Sequence, residues 1–560
     1  MKVRDIRANR QKLNKKPRKA VNHKMNRLKS NCGVATFIAL MLMLMMTLIG
    51  IAAVRLSNDE VTIAGNEMNE MSSFYAAEAG LERASAAIQS QYETTGLPPT
   101  TMPSGSETIN NCVAAYNTVD NGAAVSRELA QGPLAGLDAL VKTYTITSTG
   151  SSNVRGSQVS LTETFECALV PLFQFAVFYG NDLEIAPGPD MTLMGRVHSN
   201  GNLYLQANSN LYMDSYVTAS GQIVHGRKGP GGTSYGDVFI KDTDGNYQNM
   251  LRNGTWLDAT QTSWYDSAST RWGGRVQDAA FGQGPLNLPL TNTGDPHKLI
   301  ERGTGNPDSY ENQANFKIID GVAQALVGAT WVNVSALLPA GTITTRTFYD
   351  AREGQNVNTT QVDMSLLKTS TYFPSNGVIY SSDHRSGFNA ARLVNGSDLG
   401  HPLAFISENP LYIKGDFNSA NKVPAFIAGD AVTYLSNNWN DANSTLTKSS
   451  RVANQTTVNA CFLTGNTNTT STQYNGGLEN LPRFLETWNG TKFIWRGSMV
   501  NLWNSTQATG NWNGTYYDPP VRDWAYDTSL DDPANLPPGS PRARVFQRTG
   551  WKQEFVGYEE

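Results

Sequence analysis

The apolar positions fall into three regimes along the chain. From Gly33 the sequence reads Val34-Ala35-Thr36-Phe37-Ile38-Ala39-Leu40 and continues as a Met/Leu run, through Leu44, to Val54 without a charge. About 20 uncharged apolar residues suffice to cross a bilayer as a helix. Arg55, Asp59 and Glu60 close the run, yet no proline follows before Pro98. Val61, Ala64, Met68, Met71, Tyr75, Leu81, Ala84 and Ile88 then recur at three- and four-residue spacing, which lines one face of a continuing helix. The pattern predicts one helix over 34–91, greasy all round at first and amphipathic afterwards.

The second regime alternates. Residues 92–110 are rich in Pro, Ser, Thr and Gly and read as a loop. Residues 141–148 and 158–165 then alternate apolar and polar around a Gly/Ser turn, the pattern of an antiparallel hairpin. A hairpin on an amphipathic helix is a minimal small head. The third regime starts near Phe173. Short β runs recur between Gly/Asn turns over 175–224 and return over 403–435. Such brief strands suit the coils of a β-solenoid, where each rung pairs with the next, although no strict repeat period is visible. A β-sandwich is the alternative.

Between these stretches, 227–374 reads as an insertion. It carries meander turns at Asp244-Gly245 and Asn253-Gly254, strands around Asp320-Gly321 and a short helix opening at Asp363. Residues 477–488 read as the clear helix after the stem. The tail, with Trp503, Trp512, Tyr516, Tyr517, Trp524, Tyr526 and Trp551, reads as wrapping the core, since its aromatics would otherwise be exposed. The expected domains are 1–33, a basic leader; 34–91, the stem; 92–170, the head; 171–226 with 375–560, the β core and its tail; and 227–374, the inserted meander. The fold class is α+β.

Charge sharpens this picture. The net charge of the 560 residues is −4, but residues 1–33 hold twelve Lys or Arg against one Asp, leaving 32 basic and 47 acidic residues. A basic segment before a span keeps that end cytoplasmic. The acidic remainder repels phosphates, so no nucleic-acid partner is expected. Only 16% of residues are charged, against abundant Gly, Asn, Ser and Thr, the composition of extracellular β-proteins. Cys112 and Cys167 bracket the head; export allows a disulfide between them, and two buried thiols are the other reading.

The leader ending in Gly33, the apolar run directly after it, Ala64-Gly65-Asn66 and the sequence Phe74-Tyr75-Ala76-Ala77-Glu78-Ala79-Gly80-Leu81 resemble the type IV pilins, most closely the PilX-like minor pilins. The resemblance implies cleavage after Gly33 by a prepilin peptidase, with Val34 as the mature N-terminus, and filament contacts with other pilins through the helix. Such pilins carry a glutamate at the fifth mature position; here Ile38 stands there. The departure implies a tip or initiating subunit rather than a filament body. From Phe173 onward, His198-Ser199-Asn200-Gly201, residues 410–416, Leu435-Ser436-Asn437-Asn438-Trp439 and residues 476–486 are similar to a region found behind PilX-like stems, a likeness that adds no chemistry.

Candidate chemistry is sparse. Asp242-Thr243-Asp244-Gly245-Asn246 looks like a calcium loop but lacks the bidentate Glu of an EF-hand, so an Asp-Gly turn is expected. His198, His225, His297, His384 and His401 show no zinc-ligand spacing. Glu166 with Asp182 could form a glycosidase pair only if folding placed them about 5–10 Å apart. No enzyme, metal or cofactor is expected. The reading is a minor-pilin-like subunit, anchored in the inner membrane with its large β domain outside, serving assembly or adhesion to a glycan or protein ligand. The alternatives are a membrane-anchored β-helix protein acting on or binding polysaccharide, and a bitopic protein of no filament.

Overall fold

A computed structural model describes residues 32–154, 156–229, 236–290 and 294–556. Residues 1–31 of the leader lie outside them. The chain divides into two compact units, Met1–Met71 and Ser72–Glu560. Helix α1 is assigned over Cys32–Thr95. It ends where Gly96 takes a φ of +70° and donates its N–H to the Tyr92 carbonyl at 3.0 Å, with Pro98 and Pro99 following. The helix therefore runs four residues past the expected 91.

In the second unit α1 packs on an antiparallel sheet. Its strands are β1 (Ser104–Ile109), β2 (Cys112–Asp120), β3 (Val125–Glu128), β4 (Asp138–Ser152) and β5 (Gln158–Pro171), in the order β1-β2-β4-β5 with β3 also on β4. Ala77, Leu81, Ala84, Ile88 and Tyr92 form one helical stripe against Tyr144, Ile146, Val159, Leu161, Phe165 and Cys167. The expected stripe is right from Leu81 onward and wrong at Tyr75, which is 57% exposed while Ala76 and Ala77 face inward. Small residues win there because the sheet comes close. A Cβ on Gly150 of β4 would sit 1.9 Å from the Ser73 carbonyl oxygen, and one on Gly80 2.5 Å from Ser148 Oγ.

The sheet does not end at β5. Its last strand is the C-terminal Arg542–Val556, antiparallel to β5 with Arg542 opposite Pro171. Everything between is thus a long excursion from one hairpin of the head. The domain reading placed 542–556 in the β core; pairing puts it in the head instead. The cause is the alternating register itself, since Ala543 is buried and Arg544 and Arg548 reach back to α1.

The excursion is built of parallel ladders. Leu203 pairs between Leu183 and Ile223, Leu211 between Met191 and Val238, and Val217 between Val197 and Val276. Corner side chains repeat the step: Asp182 Oδ1 accepts from the Asn202 N–H and Asn202 Oδ1 from the Gln222 N–H, each 20 residues on and at 2.8 Å. The 20-residue step does not continue: the next partner of Leu211 is Val238 and that of Val217 is Val276, so no strict period runs through the ladders. Further ladders stack 378–382, 403–407, 425–429, 461–466 and 499–504 in parallel, and Met499 then pairs with Val177 of Phe175–Tyr179. The last rung of the second series so meets the first rung of the first.

Two expectations fail, each for its own reason. The region 227–374 is not simply inserted. Asp237–Lys241, Val276–Gln277, Phe316–Ile319 and Gln355–Asp363 are themselves rungs, because rungs pair with strands far away in sequence. Residues 477–488 form a short 3-10 turn, Leu478–Asn480, and the strand Arg483–Phe484 rather than a helix. Pro482 removes a helical donor, and Glu479, Arg483 and Glu486 are buried as well as Leu478, Leu481, Phe484, Leu485 and Trp488, more than one helical face could bury. An α-helix forms instead at Trp264–Trp272, seated on Trp264, Ala268 and Trp272 and stopped by left-handed Gly273.

Candidate functional site

The first unit offers a surface, not a cleft. Val34, Phe37, Ile38, Leu44 and Val54 lie on α1 and are each more than half exposed. Gly33 sits at its start. A helix satisfies its own backbone, so an apolar helical surface of this length suits lipid better than water. Even the hydroxyl of Thr47 turns back, donating to the Met43 carbonyl at 2.5 Å. One helix in the described residues is long and apolar enough to cross a membrane. Between Val34 and Val54 there is no carboxylate, and Ile38 presents only hydrocarbon.

In the second unit the Phe74–Leu81 signature becomes a seam. Ser73 Oγ donates to the Ser157 carbonyl at 3.0 Å, Tyr92 Oη to the Ala168 carbonyl at 2.8 Å, and Tyr144 Oη to the Pro99 carbonyl at 2.9 Å. The C-terminal strand completes it. Arg548 makes a two-pronged ion pair with Glu82 at 2.6 and 2.7 Å, which pulls the Glu82 carboxyl below its usual range, and Arg544 donates to the Tyr92 carbonyl at 3.0 Å. Sequence reading missed both arginines, since only the fold brings residues so far apart into one sheet.

The disulfide reading is overturned. Cys112 and Cys167 are buried free thiols, and burial pushes the Cys167 thiol up to about 12. They flank β4 at opposite ends, Cys112 opposite Ser152 and Cys167 opposite Lys142. At ~3.3 Å per residue that separates them by roughly 30 Å along the strand, far beyond the ~7 Å Cα limit of a bridge.

The other candidates resolve into structure. Asp242 Oδ1 accepts from the N–H groups of Asp244 and Asn246, and Oδ2 from Gln248, so its oxygens close a turn. Glu166 pairs with Arg127 in the head sheet and Asp182 with Lys228 at a coil corner. His198 is fully buried between Thr218 and Asn200, and burial pushes it down to about 4. His225 stacks on Trp256, His384 bonds Glu408 at 2.9 Å, and His401 lies against Phe373. Among the described residues no group of three ligating side chains could hold a metal.

His297 is the most connected of them. Nδ1 meets Glu301 at 2.7 Å, and Nε2 meets Asp430 at 3.4 Å and Thr506 Oγ1 at 3.3 Å. This looks like a nucleophile, base and acid in line, but the chemistry fails. Burial lowers the imidazole's affinity for a proton, yet the hydrogen bonds it donates to Asp430 and Glu301 outweigh this and raise its pKa. Thr506 Oγ1 donates to Asp430 Oδ1 at 3.1 Å, so its hydroxyl proton is turned to the carboxylate and not to the imidazole. Asp430 accepts as well from the N–H groups of Thr506, Gln507 and Ala508, so the cluster pins a loop.

An apolar helix long enough to cross a membrane, and a helix seated on a small antiparallel sheet, make a pilin-like arrangement. Residues 33–82 match the family model described as PilX N-terminal. The chain thus carries a PilX-like, pilin-type segment over 33–82 ahead of a large strand-rich domain, and is α+β overall. No curated protein sequence matches the chain. Among solved structures it is similar to the competence-associated pilin ComZ from Thermus thermophilus, at 13% identity over 87% of this chain and 98% of that one. The TM-score of 0.30 is too low to define a shared fold.

Proposed function

We propose that the protein is a minor subunit of a type IV pilus or a type II-like pseudopilus, placed at its tip or in its initiating complex. The observation that supports this most is the charge-free surface from Val34 to Val54 with Ile38 where a filament-body pilin carries a carboxylate. In the family that carboxylate neutralises the neighbouring subunit's terminal amine; a subunit without it gains little by inserting beneath others. Prepilin peptidase cuts after Gly33, and Val34 becomes the N-terminus. The stem lies in the inner membrane with its leader cytoplasmic, and other pilins pack on it. The strand-rich domain lies outside, where its parallel ladders form a solenoid-like stack that displays a surface for assembly or for adhesion to a glycan or protein. It works by binding, not catalysis. Co-expression with a prepilin peptidase followed by N-terminal sequencing tests the reading. A product beginning at Val34 is expected, and Gly33→Val should abolish it; a chain left uncut in the presence of active peptidase refutes the assignment.

A further inference from the structure

A cavity of about 560 Å³ lies in the second unit, beside one end of the head sheet. Its size is that of ordinary ligand sites, about 300–1,000 Å³. Leu140 and Leu169, directly opposed on β4 and β5, form one wall, Leu288 and Leu299 a second, and the strap 533–541 a third. The strap carries four prolines, whose fixed φ stiffens it, and Tyr310 Oη holds its Gly539 carbonyl at 3.1 Å. The space therefore stays open, with leucine and proline on three sides.

Asp138 stands in the lining. Gln174 holds its main chain, accepting the N–H at 2.9 Å and donating to the carbonyl at 2.8 Å. Its carboxylate receives no hydrogen bond or ion pair among the described residues. Burial and two carboxylates, those of Glu128, its cross-strand partner, and Asp532, push its pKa up. Asp308 adds a further carboxylate to the lining. Arg542 also lines the cavity, but it is exposed, makes no ion pair among the described residues and is not among the charges that act on Asp138.

We propose that this cavity binds a peptide segment of a partner protein in which an apolar side chain stands beside a lysine or arginine. Shape and charge select that occupant together. The apolar side chain displaces water from leucine and proline, and the cationic head pairs with Asp138, an anion without a counter-ion. An acidic segment would meet like charges from Asp138, Glu128 and Asp532. A neutral one would cover Asp138 without pairing it. The proposal rests on the reading of the strand-rich domain as a binding module and names the chemistry of its ligand.

The test uses the full chain in neutral detergent micelles and ligand-observed NMR titration of acetylated dipeptide amides. The Phe-Lys probe should bind at least about tenfold more tightly than Phe-Gln or Phe-Glu, and Gly-Lys should not bind. Asp138→Asn should remove the lysine advantage and leave the Phe-Gln affinity unchanged. If that variant does not fold, raising salt from about 0.05 to about 0.5 M should shrink the same advantage in the wild type. Leu536→Trp, which fills the cavity from the strap, should abolish binding of both probes with the circular dichroism unchanged. A Phe-Lys probe that does not bind, a Phe-Glu probe that binds as well, or an advantage that survives both Asp138→Asn and salt overturns the proposal. So does binding that survives Leu536→Trp. N-terminal sequencing of the same preparation, co-expressed with the peptidase, separates the two readings. A chain uncut at Gly33 that binds Phe-Lys refutes the pilus assignment alone, and a cut chain that does not bind it refutes this site alone.

Discussion

At the scale of single residues, His297 shows how a buried ionisable group can hold structure rather than perform chemistry. It joins Glu301 on its own segment to Asp430, and Asp430 holds 506–508 through backbone N–H groups. Its pKa is raised in the folded chain. The stability it contributes is therefore full below the ordinary histidine pKa of ~6.5 and is lost as pH rises through the folded value. Asp430 and Glu301, both shifted down, act at the acid end, losing their contribution as pH falls through their folded values. Thermal unfolding from about pH 6 to about pH 8 should show the wild type losing more stability than His297→Gln. Equal slopes would remove the imidazole from the account. None of this was legible in the sequence. His297 stands alone there, and its partner Asp430 lies 133 residues away.

At the scale of elements, the stem's C-terminal half was legible and its contact partner was not. Periodicity identified Leu81, Ala84 and Ile88, because a helix that buries a face must repeat at 3.6 residues. It missed the turn of the stripe at Ala76 and Ala77, since alanine and glycine carry little signal in an apolar pattern. They matter because β4 approaches the helix through Gly150. Gly150→Ala would press a methyl group into the Ser73 carbonyl. The expected cost is about 1–3 kcal/mol, read as a lower midpoint in thermal unfolding of the full chain; an unchanged midpoint would show that the seam gives way freely. The cysteine reading failed at this same scale. Bracketing the head in sequence says nothing of register, and register put the two thiols at opposite ends of one strand. The expected helix over 477–488 failed because its apolar residues keep a helical spacing although the segment is buried on every side and carries Pro482, so the spacing marks no surface helix.

At the scale of the whole molecule, the head is closed by the last strand of the chain. Since Pro171 and Arg542 are register partners on neighbouring strands, the large domain leaves and re-enters the head at one point. Removing 172–541 and joining the ends by a short turn should therefore leave a folded α1-and-sheet head with its Glu82–Arg548 pair. Retained β circular dichroism and a cooperative melt check this, and a molten product would mean that the head needs its excursion. By itself the sequence determined what depends on local pattern: a spanning apolar helix, an amphipathic continuation, a hairpin on it, a large strand-rich domain without a metal or nucleophile motif, and the PilX-like signature. Beyond that hairpin, tertiary structure alone decided which strands pair. Parallel rungs and a closing C-terminal strand join residues tens to hundreds of positions apart, and hydrogen bonds between backbones leave no mark on the identity of the side chains that carry them.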